Sequence, residues 1–263
     1  MKLLLLGLAL TASLAATAQT GPAPAFTSTC RDGYGDGDQP RFCETRDLAM
    51  PAPATGQTLT IDGSQNGGIA VKGWDGPDVR IRATVQAWGG SSAQAQARAQ
   101  EVKIDATGNT LKASASGRTS VSFEVFVPRH TALALTTQNG GISLRDLQGL
   151  VSFRTQNGGV SLTDLGGQVT GKTANGGLSI RLGGHQWEGA GLDVSTTNGG
   201  ITWQLPANYS AQFFTSTNGG GIETTLPQSK PQGRYREVKT TLGSGGQAVK
   251  AVTGNGGITI KQG

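Results

Sequence analysis

Two aspartates are the residues whose type and spacing best fit catalysis. Asp146 and Asp164 each lie seven residues after the Asn of an Asn-Gly-Gly tripeptide. If successive tripeptides stack, the two carboxylates become neighbours, and a carboxylate pair can act as acid and base on a glycan. The alternative is that both are turn residues in Leu-x-Asp-Leu-x-Gly. The equivalent later positions are Leu182 and Leu205, so no third carboxylate joins the pair and we favour the turn interpretation.

A second acidic group has the composition of a calcium loop. Asp32, Asp36 and Asp38 lie between two cysteines in a glycine-rich stretch. Counted from Asp32, however, the third position is Tyr34 and the twelfth is Cys43, where a calcium loop needs a bidentate Glu. We therefore expect no metal site, and the pattern leaves calcium binding by this loop as the open alternative.

Tryptophan is the residue type most suited to contacting a sugar ring. Trp187 follows Gly183-Gly184-His185 in an insertion between two tripeptides, and it is the best candidate for an exposed ligand contact. Capping of the longer unit is its structural alternative. Trp203 falls in an apolar column and is predicted to be core.

The elements that would position these residues are organised by the tripeptide itself. Asn-Gly-Gly occurs seven times, always with Ser or Thr two residues earlier. The copies begin at Asn66, Asn139, Asn157, Asn175, Asn198, Asn218 and Asn255. Central copies recur every 18 residues, which is room for two strands of about 5–6 residues and two tight turns. Apolar residues alternate on both sides of each turn, as in half-buried strands.

Identical residues at equivalent places favour stacking, since stacking makes like side chains neighbours. We therefore predict a single-stranded β-helix, or β-solenoid, in which Asn-Gly occupies corners with φ > 0. The Ser or Thr hydroxyl would bond backbone groups of the bend. An antiparallel array with Asn-Gly hairpin turns is the alternative.

Other segments depart from this pattern. An Ala-rich stretch near residues 92–103 predicts one short helix, which Ser91 or Ser92 can cap. Residues 78–88 alternate as a further strand. After Asn218 we expect Gly221 to be an inserted residue. The next apolar residue would then come one position later than it does after the other motif Asn residues. The chain ends on an apolar strand containing Ile260, which predicts an open edge for self-association.

The N-terminal region predicts export. Residues 1–18 have a basic residue, an apolar run and a small-x-small cleavage pattern, which is typical of a signal peptide. Residues 19–56 are rich in Pro and Gly and are predicted to be irregular, and residues 57–263 form the β domain. Cys30 and Cys43 are the only cysteines, and in an exported protein we expect them to form a disulfide. No later run is long enough for a transmembrane anchor.

Bulk charge and motifs exclude several classes of function. The formal net charge is +5, with Lys and Arg scattered singly, so a nucleic-acid partner is not expected. A catalytic Ser-His-Asp order, a phosphate loop, zinc spacing and a nucleotide fingerprint are lacking. We therefore expect neither enzymatic activity nor a cofactor.

The chain resembles the bacterial putative-adhesin β-strand repeat family, a domain of unknown function in exported envelope proteins. The resemblance rests on the Thr-x-Asn-Gly-Gly units at residues 137–144, 155–162 and 173–180, the Ala-rich stretch, Phe126-Val127-Pro128 and the closing unit at residues 253–258. It implies a β-helical fold and a noncatalytic structural or binding role at the cell envelope or surface. A cell-envelope glycan or a surface protein would be the partner, in the periplasm, at the cell surface or outside the cell. A glycan-active enzyme using Asp146 and Asp164, or a periplasmic sensor or assembly subunit, is the alternative.

Overall fold

The computed structural model describes residues 23–30, 33–34, 39–114, 117–226 and 236–263. These residues form 21 strands and one helix. In chain order they are β1 (Gly33–Tyr34), β2 (Pro40–Pro51), β3 (Thr58–Asp62), β4 (Ile69–Trp74), β5 (Asp78–Trp88), α1 (Ser92–Glu101), β6 (Lys103–Thr107), β7 (Thr110–Ser114), β8 (Thr119–Pro128), β9 (Ala132–Asn139), β10 (Ile142–Arg145), β11 (Leu150–Asn157), β12 (Val160–Thr163), β13 (Gln168–Asn175), β14 (Leu178–Arg181), β15 (Gly191–Asn198), β16 (Ile201–Leu205), β17 (Ala211–Thr217), β18 (Ile222–Thr224), β19 (Glu237–Leu242), β20 (Ala248–Asn255) and β21 (Ile258–Gln262). The predicted signal peptide lies outside the described residues.

The strands form two sheets around one hydrophobic core. The larger sheet has 11 strands in the order β1-β2-β5-β8-β4-β10-β12-β14-β16-β21-β18. The smaller sheet has 10 strands in the order β19-β17-β20-β15-β13-β11-β9-β3-β7-β6. Buried side chains from both sheets belong to one cluster, and Trp203 of the larger sheet meets Phe213 of the smaller sheet edge to face, with 4.9 Å between ring centroids. Trp203 is fully buried, which confirms its predicted place in the core.

Each Asn-Gly-Gly turn carries the chain from the smaller sheet to the larger one. The turn at Asn139, for example, joins β9 to β10, and the turn at Asn157 joins β11 to β12. The strands before these turns pair in parallel and in register, which places Asn157 opposite both Asn139 and Asn175. The hairpin alternative is therefore wrong, because the two strands at each turn belong to different sheets.

The predicted fold class, a single-stranded β-helix or β-solenoid, is also wrong. Both sheets are mixed, since β5 pairs antiparallel with β2 and β8, β6 with β7, and β17 with β19. The turn between β4 and β5 lacks the tripeptide, so the chain reverses within the larger sheet instead of crossing to the other one. The protein is all-β, with two large mixed sheets and one short helix.

Towards both ends of each sheet, the order of the strands in the sheet differs from their order in the chain. β20 and β21 lie between the β15–β16 and β17–β18 pairs, and β7 and β8 lie outside β3 and β4. β21 is therefore an interior strand paired with β16 and β18, and Ile260 is buried. The open edge predicted at the C-terminal strand is absent, because the edge strands are β1 and β18 in the larger sheet and β6 and β19 in the smaller.

The N-terminal region is more regular than predicted. β2, within the segment 19–56 that was expected to be irregular, pairs antiparallel with β5 from Arg41 to Pro51. The predicted helix is confirmed as α1, and the Ser91 hydroxyl accepts a hydrogen bond from the Gln94 N–H at 3.2 Å. Its small buried residues, Ala95 and Ala99, let it pack closely on β2 and β5.

Candidate binding face

The outer surface of the larger sheet carries a groove of about 870 Å³. The residue four places after each motif Asn except Asn218 alternates with buried neighbours and therefore points outward. Four of these outward residues line the groove and carry hydroxyls, and they form a hydroxyl row made of Ser143, Ser161, Ser179 and Thr202. Five glycines that lie two places after a motif Asn also line the groove, namely Gly68, Gly141, Gly159, Gly177 and Gly200. Because the strands are in register, the hydroxyls recur at the strand spacing of about 4.8 Å.

The N-terminal segment, residues 23–30, closes one end of the groove. Thr27 and Ser28 line that end, and both bind the Glu124 carboxylate of β8. The Thr27 N–H and hydroxyl donate to Oε1 at 2.9 and 3.0 Å, and the Ser28 N–H and hydroxyl donate to Oε2 at 2.8 and 2.6 Å. Phe26 packs against Phe126 at 5.2 Å between ring centroids. These contacts fix the segment across the sheet.

The carboxylate that anchors this segment has a lowered pKa. Burial raises the pKa of Glu124, but the four hydrogen bonds from Ser28 and Thr27 outweigh burial and bring the pKa below the usual value of a glutamate. Glu124 is therefore ionised at neutral pH, and its charge is held by donors of the N-terminal segment.

The predicted disulfide is confirmed. Cys30 and Cys43 are bonded, with 5.5 Å between their Cα atoms, so the end of the N-terminal segment is tied to β2. The candidate calcium residues Asp32, Asp36 and Asp38 lie outside the described residues.

A row of cationic side chains runs beside the hydroxyl row on the same face. Six equivalent places on consecutive strands are occupied by Lys72, Arg145, Thr163, Arg181, Gln204 and Lys261. The four cations of this row are exposed. Arg181 donates to Asp164 Oδ2 at 2.6 Å, whereas the other three make no ion pair with a described residue. The face therefore carries uncompensated positive charge next to the groove.

Asn side chains of the tripeptides form a hydrogen-bonded ladder along the edge of the two sheets. From Asn139 onward, each amide nitrogen donates to the amide oxygen of the preceding Asn in the ladder, at 2.8 to 3.1 Å. The ladder contains Asn66, Asn139, Asn157, Asn175, Asn198 and Asn255. The buried threonines two places earlier donate to the carbonyl of the first motif glycine on the neighbouring strand, as Thr173 does to Gly158 at 2.9 Å. Thr hydroxyls thus satisfy backbone acceptors that would otherwise be buried without a partner.

The conformation expected for the tripeptide is wrong. Among the described residues, positive φ is confined to sites outside the seven tripeptides, so these turns do not use the left-handed region. Glycine is needed for space instead, because a Cβ on Gly158 would lie 2.1 Å from the carbonyl oxygen of Gly140. The first glycine therefore lets one turn lie against the next.

Asn218 is the exception among the seven. β17 pairs with β20 so that Thr217 lies opposite Thr253, and Gly219 takes the place of an Asn next to Asn255. Ile222 lies opposite Ile258, so the predicted displacement by one place is confirmed, but Gly221 is not the inserted residue because the whole turn is shifted by one residue. The shift also places Phe213, rather than Phe214, in the core.

Asp146 and Asp164 both occupy turns after strands of the larger sheet. Their φ values are 56° and 52°, in the left-handed region that Asp tolerates. The Asp146 N–H donates to Thr163 O at 3.2 Å and the Asp164 N–H to Arg181 O at 3.0 Å. Each N–H is therefore used to hold neighbouring turns together, and the Asp164 carboxylate is paired with Arg181.

Trp187 is not a surface contact. Its side chain is 3% exposed, and its ring N–H donates to Gly167 O at 2.9 Å. The isolated bridge between Gln186 and Ser210 adjoins it. The position of Trp187 fits the alternative role of capping the longer unit. The indole fills space beneath the longer connection, and its N–H satisfies a turn carbonyl.

Within the described residues, no three His, Cys, Asp or Glu side chains are grouped so that they could hold a metal ion. No helix there has the length and apolar character needed to cross a membrane.

Sequence reasoning missed the hydroxyl and cationic rows. Lys and Arg are scattered singly along the chain, yet every residue of the cationic row lies six places after a motif Asn. The hydroxyl row lies four places after it. Aligning the outward positions as well as the inward ones would have found both rows.

No family model matches the chain, and no curated protein matches it. Solved structures with some similarity include a putative cell adhesion protein from Clostridium sporogenes ATCC 15579, which is 12% identical with a TM-score of 0.46 over 84% of this chain and 100% of that chain. A putative adhesin from Bacteroides fragilis NCTC 9343 is 14% identical, with a TM-score of 0.32 over 84% of this chain and 97% of that chain. A putative lipid binding protein from Parabacteroides distasonis ATCC 8503 is 12% identical, with a TM-score of 0.35 over 88% of this chain and 100% of that chain. Because these identities and TM-scores are low, we base neither fold nor function on them.

Proposed function

We propose that the protein is an exported, noncatalytic binding protein of the bacterial cell envelope. Its binding surface is the outer face of the larger sheet. The observation that carries this proposal is the groove of about 870 Å³, whose hydroxyl row is flanked by a row of exposed cations outside the groove. Concave sites with a few convergent polar groups are the usual places for ligands.

The positions of the two aspartates favour binding over hydrolysis. A glycosidase needs one carboxyl group that can protonate a leaving group and a second that acts as base or nucleophile. Here the Asp164 carboxylate is paired with Arg181 at 2.6 Å, and both aspartates occupy left-handed turn positions. The arrangement thus gives them a structural role.

The test is cosedimentation of the purified mature protein with washed Gram-negative cell envelopes. Ser179→Trp fills the groove with a bulky side chain and should weaken binding by at least about tenfold through steric exclusion. Thr170→Trp is the matched control, because Thr170 is exposed on β13 of the smaller sheet. Circular dichroism would show that both variants are folded. Equal binding by the two variants would contradict the assignment of the groove.

A second assay separates the enzymatic alternative from the proposal. The protein is incubated with the same envelopes and with acidic polysaccharides, and released reducing ends are measured. Asp146→Asn should leave binding unchanged, with no turnover by either protein. Turnover by the wild type that disappears in Asp146→Asn would support a glycan-active enzyme instead.

A further inference from the structure

We propose that the groove binds a linear polysaccharide that carries a carboxylate on every second sugar. This inference rests on the proposed binding function and names the ligand class. It follows from the alternation of charge along the cationic row from β10 to β21 and from the hydroxyl row in the groove.

From β10 to β21 cationic and neutral residues alternate along the row, whereas on β4 Lys72 lies directly opposite Arg145. Arg145, Arg181 and Lys261 lie on β10, β14 and β21, and the strands between them carry Thr163 and Gln204 at the same place. Cations therefore recur at about 9.6 Å, twice the strand spacing. One strand spacing is close to the length of one pyranose unit in an extended β-linked chain. A polysaccharide lying across the strands would thus present a carboxylate to each cation and a neutral sugar to each intervening strand.

The groove beside the row has the length and the hydroxyl groups that such a chain requires. Between Ala70 on β4 and Thr202 on β16 it covers four strand intervals, or about 19 Å. That length accommodates about four sugar units at one unit per strand. Hydroxyls of the serines can donate to and accept from sugar hydroxyls. The only carboxylate among the groove-lining residues is Glu124, at the closed end, where Thr27 and Ser28 already bind it.

Charge balance also favours an anionic ligand. Lys72, Arg145 and Lys261 have no described ionic partner. The Arg181 guanidinium has five N–H donors, and the bond recorded to Asp164 uses one of them. Anionic groups near this row would therefore be attracted, and the attraction should weaken as salt is added.

The smaller sheet provides a matched comparison. Arg154 and Lys172 are exposed and lie directly opposite each other on β11 and β13. Neither makes an ion pair with a described residue. Their charges are adjacent rather than alternating, so removing them changes the net charge equally without touching the proposed row.

The experiment is calorimetric titration of the mature protein with three probes. Hyaluronan oligosaccharides carry a carboxylate on alternate sugars, polygalacturonate oligosaccharides carry one on every sugar, and cellohexaose is neutral. We expect hyaluronan to bind most tightly, with an affinity that falls as NaCl is raised. Arg145→Gln/Lys261→Gln should weaken hyaluronan binding by about tenfold, whereas Arg154→Gln/Lys172→Gln should change it by less than about twofold.

Each contrary result would contradict a different part of the proposal. Polygalacturonate binding as tightly as hyaluronan would overturn the alternation, and equal loss in the two double variants would overturn the assigned face. Binding of cellohexaose alone, or of none of the probes, would overturn the anionic ligand while envelope cosedimentation still supports the proposed function. Failure of wild-type protein to bind envelopes would overturn the proposed function itself.

Discussion

The side-chain amide of Asn157 donates to the amide oxygen of Asn139 at 2.8 Å, and its own oxygen accepts from Asn175 at the same distance. Asn139 and Asn157 are 18 positions apart in the chain and directly opposite each other in the smaller sheet. Asn is thus retained at these turns for its side-chain hydrogen bonds, not for a left-handed backbone.

We expect Asn157→Ala to lower the free energy of unfolding by about 0.5–1.5 kcal/mol, since it removes two exposed hydrogen bonds. Asn157→Gly should destabilise at least as much, because it removes the same bonds and adds backbone freedom. Urea denaturation measures both. A glycine variant as stable as the wild type would instead indicate relief of backbone strain.

The first glycine of the motif should tolerate no side chain. Gly158→Ala places a Cβ 2.1 Å from Gly140 O, so neighbouring turns must separate, at a cost of about 3 kcal/mol or more. Gly159→Ala is the control, because its Cβ would lie 3.6 Å from Gly177 O in ordinary contact. Thermal and urea unfolding of the two variants measure the difference. Similar stabilities would refute the steric explanation.

The buried threonines should be sensitive to loss of the hydroxyl. Thr173 is 1% exposed, and Thr173→Val keeps its shape but removes the donor to Gly158 O. We expect a loss of about 1–3 kcal/mol from the buried carbonyl left without that donor. Thr173→Ser retains the hydroxyl and should be closer to wild type. The ranking of the two variants in chemical denaturation is the measurement, and a valine variant as stable as the wild type would contradict this role.

Glu124 should make stability depend on acid. Its pKa is lower in the folded protein than in the unfolded chain, so ionised Glu124 contributes stability above the usual glutamate pKa. That contribution is lost as the pH falls through the lowered folded pKa. The stability difference between wild type and Glu124→Gln should therefore be largest at neutral pH and shrink in acid.

The N-terminal segment should respond in the same way. Protonation of Glu124 removes the charge that Thr27 and Ser28 bind, so hydrogen exchange at these two backbone amides should accelerate in acid relative to the intrinsic rate. In Glu124→Gln the protection of both amides should be low at every pH. Protection independent of pH in the wild type would contradict the assigned anchor.

Local features were predictable from the sequence because they depend on neighbouring residues. The period-two alternation around Asn157 marked the buried faces, the Ala-rich stretch with Ser91 marked helix α1, and the close pair of cysteines marked the disulfide. The hydroxyl role of Thr173 was also accessible, because Ser and Thr commonly bond to backbone groups of bends. The hydroxyl and cationic rows follow the same spacing from the motif Asn. They become visible in the sequence only when the outward-facing positions are aligned as well.

The sequence by itself determined which residues face the core, where the turns lie and which side chains recur at equivalent places. Only the tertiary structure decided which strands pair. Each strand beside a tripeptide offers nearly the same backbone hydrogen-bonding edge, so β21 can pair between β16 and β18 although it comes last in the chain. The need for glycine at position 158 also arises from contact with another turn, and local φ preference cannot reveal such a contact. Burial of Trp187 and the assembly of scattered cations into one row have the same origin, since both depend on segments that meet only when the two sheets form.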